Sequence, residues 1–150
     1  MKTYTNDINN PSSSTVPSTA AASTPSSTSP TSQLPKGYLA NGYMNQDGEP
    51  DYKYVQNIAM EIAKKLAPMK QSTFYKLYQR VEYTKFLDLN KKIFEINRLV
   101  PVAANLVSHG KAPEILLDFF EANIAVIKTV EDWLYFRYHM EAICGYMEIK

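Results

Sequence analysis

Apolar positions recur at helical spacing through most of the chain from residue 52 onward. Asp51 is placed to cap a first helix over about 52–67, in which Tyr54, Val55, Ile58, Ile62 and Leu66 share one stripe. Pro68 ends it, because proline disfavours helical geometry in the residue before it. Ser72 is placed to cap a second helix that buries Phe74, Leu77, Tyr78 and Val81. The most regular seam follows, with Phe86, Leu89, Ile93, Ile96, Val100, Ala103 and Val107 alternating steps of three and four. Pro101 is expected to kink or break that helix, and Gly110 to stop it. Pro113 suits the first turn of the next helix, whose apolar positions are Ile115, Leu116, Phe119, Phe120, Ile124 and Ile127, with Asn123 among them. Thr129 and Asp132 have capping-box spacing ahead of a last helix, where Trp133, Phe136, Met140, Ile143 and Met147 form the stripe. No strand alternation or internal repeat competes, so the pattern predicts an all-α bundle of four or five helices.

The first third of the chain reads differently. Residues 1–34 hold nine Ser, seven Thr and four Pro, with Lys2 and Asp7 as their only charges. Such a segment buries too little apolar surface to offset the entropy of ordering, so it is expected to be a disordered Ser/Thr/Pro-rich tail. Residues 35–150 then form one helical domain. Its lead-in, residues 34–48, is punctuated by Gly37, Gly42 and Gly48, and carries Tyr38, Leu39, Tyr43 and Met44 as packing groups. It is expected to be an ordered arm along the domain.

No apolar run is long enough for a membrane span. The N-terminus has neither a secretory apolar core nor the early arginines of a transit peptide, since the first Arg is Arg80. With a lone cysteine, Cys144, a disulfide framework is excluded. These features together point to a cytoplasmic protein.

Candidate chemistry is sparse. Gly37 and Gly42 have phosphate-loop spacing, but Tyr43-Met44 stands where Lys and Ser/Thr are required, so they are turn glycines. His139-Met140-Glu141 has the His-x-Glu order of zinc deaminases without their cysteine pair. His109 and His139 are the only histidines, so no transition-metal site or cofactor is expected. No nucleophile elbow exists, and Cys144 lies on an apolar stripe.

Charge is the remaining signal. Residues 64–111 carry ten Lys and Arg against Glu82, Asp88 and Glu95, a balance of +7, whereas residues 112–150 come to −4. The basic positions are Lys64, Lys65, Lys70, Lys76, Arg80, Lys85, Lys91, Lys92 and Arg98, followed by Lys111. Lys76 and Arg80 share a helix face, and Lys91 and Arg98 align seven apart. Cations repeating with the helical turn follow a phosphate backbone without reading bases, and an A-form duplex is recognised mainly by shape, phosphates and 2′-hydroxyls. Lys64, Lys65, Lys76, Arg80, Lys91, Lys92 and Arg98 are therefore the candidate nucleic-acid contacts. Tyr75, Tyr78 and Tyr83 could stack on bases, although tyrosines at this spacing more often serve the core or its rim. The competing reading is a solvated face with local pairs such as Asp88 with Lys92.

The last helix, residues 136–146, resembles the C-terminal signature of one family, the small helical subunit of type III-A CRISPR effectors (the Csm small subunit). That signature is a Phe, a short aromatic or basic turn, Glu-Ala-Ile, two residues and Tyr, matched here by Phe136, Met140, Glu141, Ala142, Ile143 and Tyr146. Residues 71–81 resemble the family's second motif through Lys76, Tyr78 and Val81; Tyr75 stands where the family usually has Arg, leaving Lys76 or Arg80 to make that contact. Residues 96–101 are similar to its central segment, and the Gly-Tyr arm at 37–48 to the lead-in of some members. The resemblance implies a non-catalytic antiviral-defence subunit, present in several copies within a ribonucleoprotein complex. It would self-associate, contact the guide RNA–target RNA duplex beside the backbone subunits, and help couple target binding to the large subunit. A type III-B small subunit, or a protein-only helical adaptor without RNA contact, are the alternatives.

Overall fold

A computed structural model of the protein describes residues 33–148. The expected tail, residues 1–34, lies outside the described residues except for Gln33 and Leu34. Leu34 is half-buried against the core, and the Lys65 ammonium donates to the Gln33 carbonyl, so these two residues belong with the domain.

An arm, a 3-10 turn and six helical segments follow one another among the described residues. The arm contains a short extended segment, β1 (Ala40–Tyr43), followed by a bridge between Met44 and Pro50. After the 3-10 turn Tyr52–Val55 come α1 (Asn57–Lys65), α2 (Gln71–Glu82), α3 (Leu89–Asn97), α4 (Leu99–Ser108), α5 (Ile115–Val126) and α6 (Val130–Met147). α3 and α4 abut at Arg98. The architecture is an all-α bundle. α6 is its axis, packed against α1, α2, the 3-10 turn and β1, while α5 lies against α4.

Local sequence accounts for several boundaries. The Thr129 hydroxyl accepts from the Asp132 N–H at 3.0 Å and the Asp132 carboxylate accepts from the Thr129 N–H at 3.1 Å, which closes the capping box. Asp51 accepts from the Lys53 N–H at 3.0 Å. It caps the 3-10 turn rather than one long helix, because the backbone breaks at Gln56 (φ −129°, ψ −105°). The tighter winding of that turn swings Val55 into solvent. Ser72 is exposed and caps nothing; α2 starts at Gln71 from an extended Lys70. Pro101 sits in the first turn of α4, where its missing N–H is tolerated, and the break falls three residues earlier at Arg98.

The seam predicted over 86–107 is displaced. Phe86 lies in the turn before α3 and is 89% exposed. The fully buried positions are Lys92, Ile96, Leu99 and Ala103, while Leu89, Ile93, Val100 and Val107 are only half-buried. The stripes of α2, α5 and α6 pack as expected, whereas the first stripe loses Val55 to solvent. Phe74, Phe119, Phe120, Phe136, Met140 and Ile143 are wholly buried, and Phe119 lies 5.3 Å from Phe120 and 6.1 Å from Phe136, centroid to centroid. Of the other residues in the C-terminal motif, Ala142 and Tyr146 pack at the core's edge and Glu141 faces solvent.

The arm is ordered, and a buried polar chain holds it. The Tyr43 hydroxyl donates to Asn123 Oδ1 at 2.7 Å. Asn123 Nδ2 donates to the Phe119 carbonyl at 2.8 Å and to the Tyr38 hydroxyl at 2.9 Å. Tyr38 then donates to His139 Nε2 at 2.6 Å, and His139 Nδ1 donates to the Tyr54 carbonyl at 2.5 Å. The Tyr54 hydroxyl accepts the Leu39 N–H at 2.8 Å. That bond helps hold buried Leu39 at φ 58°, a left-handed conformation that is costly for a branched side chain. Gly37 and Gly42, at φ 73° and 61°, make the flanking turns without that cost. Burial raises the Tyr38 and Tyr43 hydroxyls well above the ordinary tyrosine range, so both remain donors.

His139 can take part only as neutral imidazole, since protonation of Nε2 removes the acceptor for Tyr38. Burial lowers its pKa from 6.5 to about 4, against a smaller opposing effect of the hydrogen bond to Tyr54. Between those values the unfolded chain binds the proton and the folded chain does not. Stability is therefore full above pH 6.5 and declines as the pH falls towards 4, by about 3 kcal/mol in all. Urea unfolding should lose about 2 kcal/mol between pH 7 and 5, above the range where most carboxylates titrate. A flat profile over that interval would contradict the neutral-imidazole assignment.

Met140 has no exposed surface. Met140→Ala should lower unfolding stability by roughly 2–5 kcal/mol, measured by chemical denaturation, with an unchanged midpoint arguing against its burial.

Candidate nucleic-acid interface

The predicted contact residues divide by their surroundings. Lys64, Lys76, Arg80 and Lys91 are exposed and form no ion pair among the described residues. Lys65 pairs with Glu61 at 3.1 Å along α1, and Arg98 pairs with Glu95 at 2.9 Å, so each carries a partner that reduces its field. Lys85, also in the basic run, lies 3.7 Å from Glu82 and 5.3 Å from the centre of the Phe86 ring.

Lys92 is corrected by the structure. It is 3% exposed and cannot reach a nucleic acid. Its ammonium donates to the Lys85 carbonyl at 3.0 Å and to the Leu87 carbonyl, and lies 4.7 Å above the Trp133 ring centre. The expected pairing with Asp88 is absent too: the Asp88 carboxylate accepts the Lys91 N–H at 3.0 Å as the cap of α3. Trp133 Nε1 in turn donates to Thr84 Oγ1 at 3.0 Å, and Thr84 donates to the Val81 carbonyl at 2.6 Å. Lys92, Trp133 and Thr84 thus fix the turn between α2 and α3 from beneath. A cation held by two carbonyls and a π-face needs no carboxylate to be satisfied.

That turn forms one wall of a cleft of about 320 Å³ lined by Arg80, Tyr83, Thr84, Leu87, Glu95 and Arg98. Two of the seven predicted cations meet there from separate elements. A second cleft, about 580 Å³, brings Lys64 and Lys70 beside Tyr146 and Met147 of α6. Lys76 and Lys91 line neither. The three tyrosines also part company. Tyr78 is core, Tyr75 is partly exposed with its ring 5.9 Å from that of Tyr78, and Tyr83 is 75% exposed at the end of α2. Phe94, to which the hydrophobic pattern gave no role, is 64% exposed on α3.

The electrostatics of the rest are structural. Hydrogen bonding from Arg137 holds the Glu82 carboxyl below its ordinary value, assisted by Tyr78 at 3.2 Å. Burial pushes the Cys144 thiol up to about 12, so it is not a thiolate at neutral pH. Among the described residues no group of three His, Cys, Asp or Glu gathers to hold a metal ion, and no helix is long and apolar enough to cross a membrane. What the surface offers is positive charge without carboxylate partners among the described residues, with exposed aromatic rings beside it.

Compared with protein-family models, curated proteins and solved structures, the chain matches none of them.

Lys92→Met keeps most of the apolar stem but leaves two part-buried carbonyls without their donor. It should cost about 1–3 kcal/mol of stability and change the emission of Trp133, the sole tryptophan. Unaltered stability and emission would show that the ammonium does not hold the turn.

Proposed function

We propose that this chain is a non-catalytic small subunit of a type III-A CRISPR RNA-guided complex. In this role it lines the guide–target RNA duplex beside the backbone subunits and helps couple target binding to the large subunit. The motif resemblance over residues 71–81, 96–101 and 136–146 suggests the family. The observation that carries the RNA contact is the exposure of Lys64, Lys76, Arg80 and Lys91 without acidic partners among the described residues. Elsewhere in the same basic run, Lys65, Lys85 and Arg98 are paired within the chain and Lys92 is internal. Cations left unpaired on a surface are matched by phosphates, which release condensed counterions on contact.

A protein-only adaptor is the second reading, favoured by Phe86 and Phe94. Both are large apolar rings standing in solvent on the same part of the chain, which suits a protein neighbour. A neighbour of this kind is also compatible with an RNA-bound assembly. A gene neighbourhood encoding type III-A rather than type III-B subunits would separate those two complexes.

Changing Lys76, Arg80, Lys91 and Arg98 together to Ala tests the RNA contact. In the assembled complex, first checked by size, target-RNA affinity should fall by a similar factor for unrelated target sequences. The slope of log affinity against log salt should become shallower by about 0.7–0.9 per phosphate contact removed. An intact complex with unchanged affinity and slope would leave the adaptor reading.

A further inference from the structure

We propose that the Arg80–Tyr83–Arg98 cleft holds one unpaired nucleotide of the bound RNA, its base on the Tyr83 ring and its phosphate between the two guanidinium groups. This inference rests on the RNA-binding reading above and adds a site to it. At about 320 Å³ the cleft falls at the small end of the range for ligand sites, roughly 300–1,000 Å³.

The groups it presents select the ligand. The Thr84 hydroxyl is spent, donating to Val81 and accepting from Trp133, so the floor offers no free polar group there. Arg80 has no acidic partner among the described residues. Arg98 is steadied by one nitrogen on Glu95 Oε1, which leaves its other N–H groups to donate. The remaining Glu95 lone pairs accept from a 2′-hydroxyl or an exocyclic amine, and Leu87 supplies an apolar edge. Tyr83 contributes a flat ring, 75% exposed. An anion, a flat π-face and hydrogen-bond donors are combined in a nucleotide. A sugar phosphate lacks the π-face. An acidic peptide would set further carboxylates against Glu95.

The nucleotide must be unpaired. Within an A-form duplex both faces of each base are covered by its neighbours, and recognition runs through backbone and shape. A ring set inside a cleft beside two arginines takes a base that projects from the helix, at a single-stranded overhang, a bulge or an unpaired position. The Lys92, Trp133 and Thr84 interactions beneath the turn hold Tyr83's segment in place before any ligand arrives.

The test uses the full-length protein at low salt with two RNAs, a blunt duplex and the same duplex ending in one unpaired 2-aminopurine nucleotide. Wild type should bind the second more tightly and quench its fluorescence. Tyr83→Ala, with folding checked by circular dichroism, should weaken that binding about 5- to 150-fold, the range for loss of one base–aromatic stack, and leave the blunt duplex unaffected. Tyr83→Phe should retain both the affinity and the quenching, because the ring remains. Arg80→Ala should weaken both RNAs, since both carry phosphates. If wild type binds the blunt duplex but Tyr83→Ala changes neither RNA, or both equally, the cleft inference fails and the RNA reading stands. If wild type binds neither RNA, the cleft inference fails, and the RNA reading is decided by the four-residue variant in the assembled complex.

Discussion

The hydrogen-bond chain through Asn123 and His139 constrains the rest of this bundle. It joins the arm, the 3-10 turn, α5 and α6 with every donor directed at an acceptor. Two tyrosine hydroxyls, an amide and an imidazole inside an apolar core are tolerated only as a complete set, because an orphaned member forfeits its hydration without compensation. The arm therefore belongs to the core, although little of it is regular secondary structure. The aromatic packing agrees with this arrangement: His139 lies 5.4–5.7 Å from the rings of Tyr38, Tyr54 and Phe119.

Near the start of α6, a second polar cluster does comparable work for the surface. Lys92 and Trp133 secure the turn after α2, and that turn decides where Tyr83 and Phe86 stand. Core and candidate interface are thereby coupled through one helix. α6 contributes His139 to the buried chain, Trp133 to the turn, and Tyr146 to the edge of the second basic cleft. The resemblance in its sequence falls on the element that positions all three.

The basic run also shows why counting charges overstates a binding surface. Three of its members, Lys65, Lys85 and Arg98, have carboxylates within 4 Å, and Lys92 is inside the protein. Exposed pairs contribute little to stability, but each partly cancels the local field that an RNA would feel. Lys64, Lys70, Lys76, Arg80 and Lys91 are exposed with no carboxylate partner among the described residues.

The all-α class, the buried stripes of α2, α5 and α6, the capping box at Thr129 and the packed arm were all legible in the sequence. Each depends on residues within a few positions of one another, or on apolar groups numerous enough to leave little choice of face. The break in the long seam was legible as well, because proline acts on its own turn. The phase of α3 was not. Apolar spacing favoured Ile93 and Val100, yet Lys92 and Leu99 are buried. Trp133, 41 residues further on, provides the π-face that admits an ammonium, and no local pattern reports that. The same holds for the His139 chain, whose partners lie 85 to 101 residues away, and for the cleft where Arg80 meets Arg98. Periodicity identifies which side chains avoid water; which polar groups follow them inward, and which cations share a cleft, is settled by the partners that the tertiary fold brings within hydrogen-bonding distance.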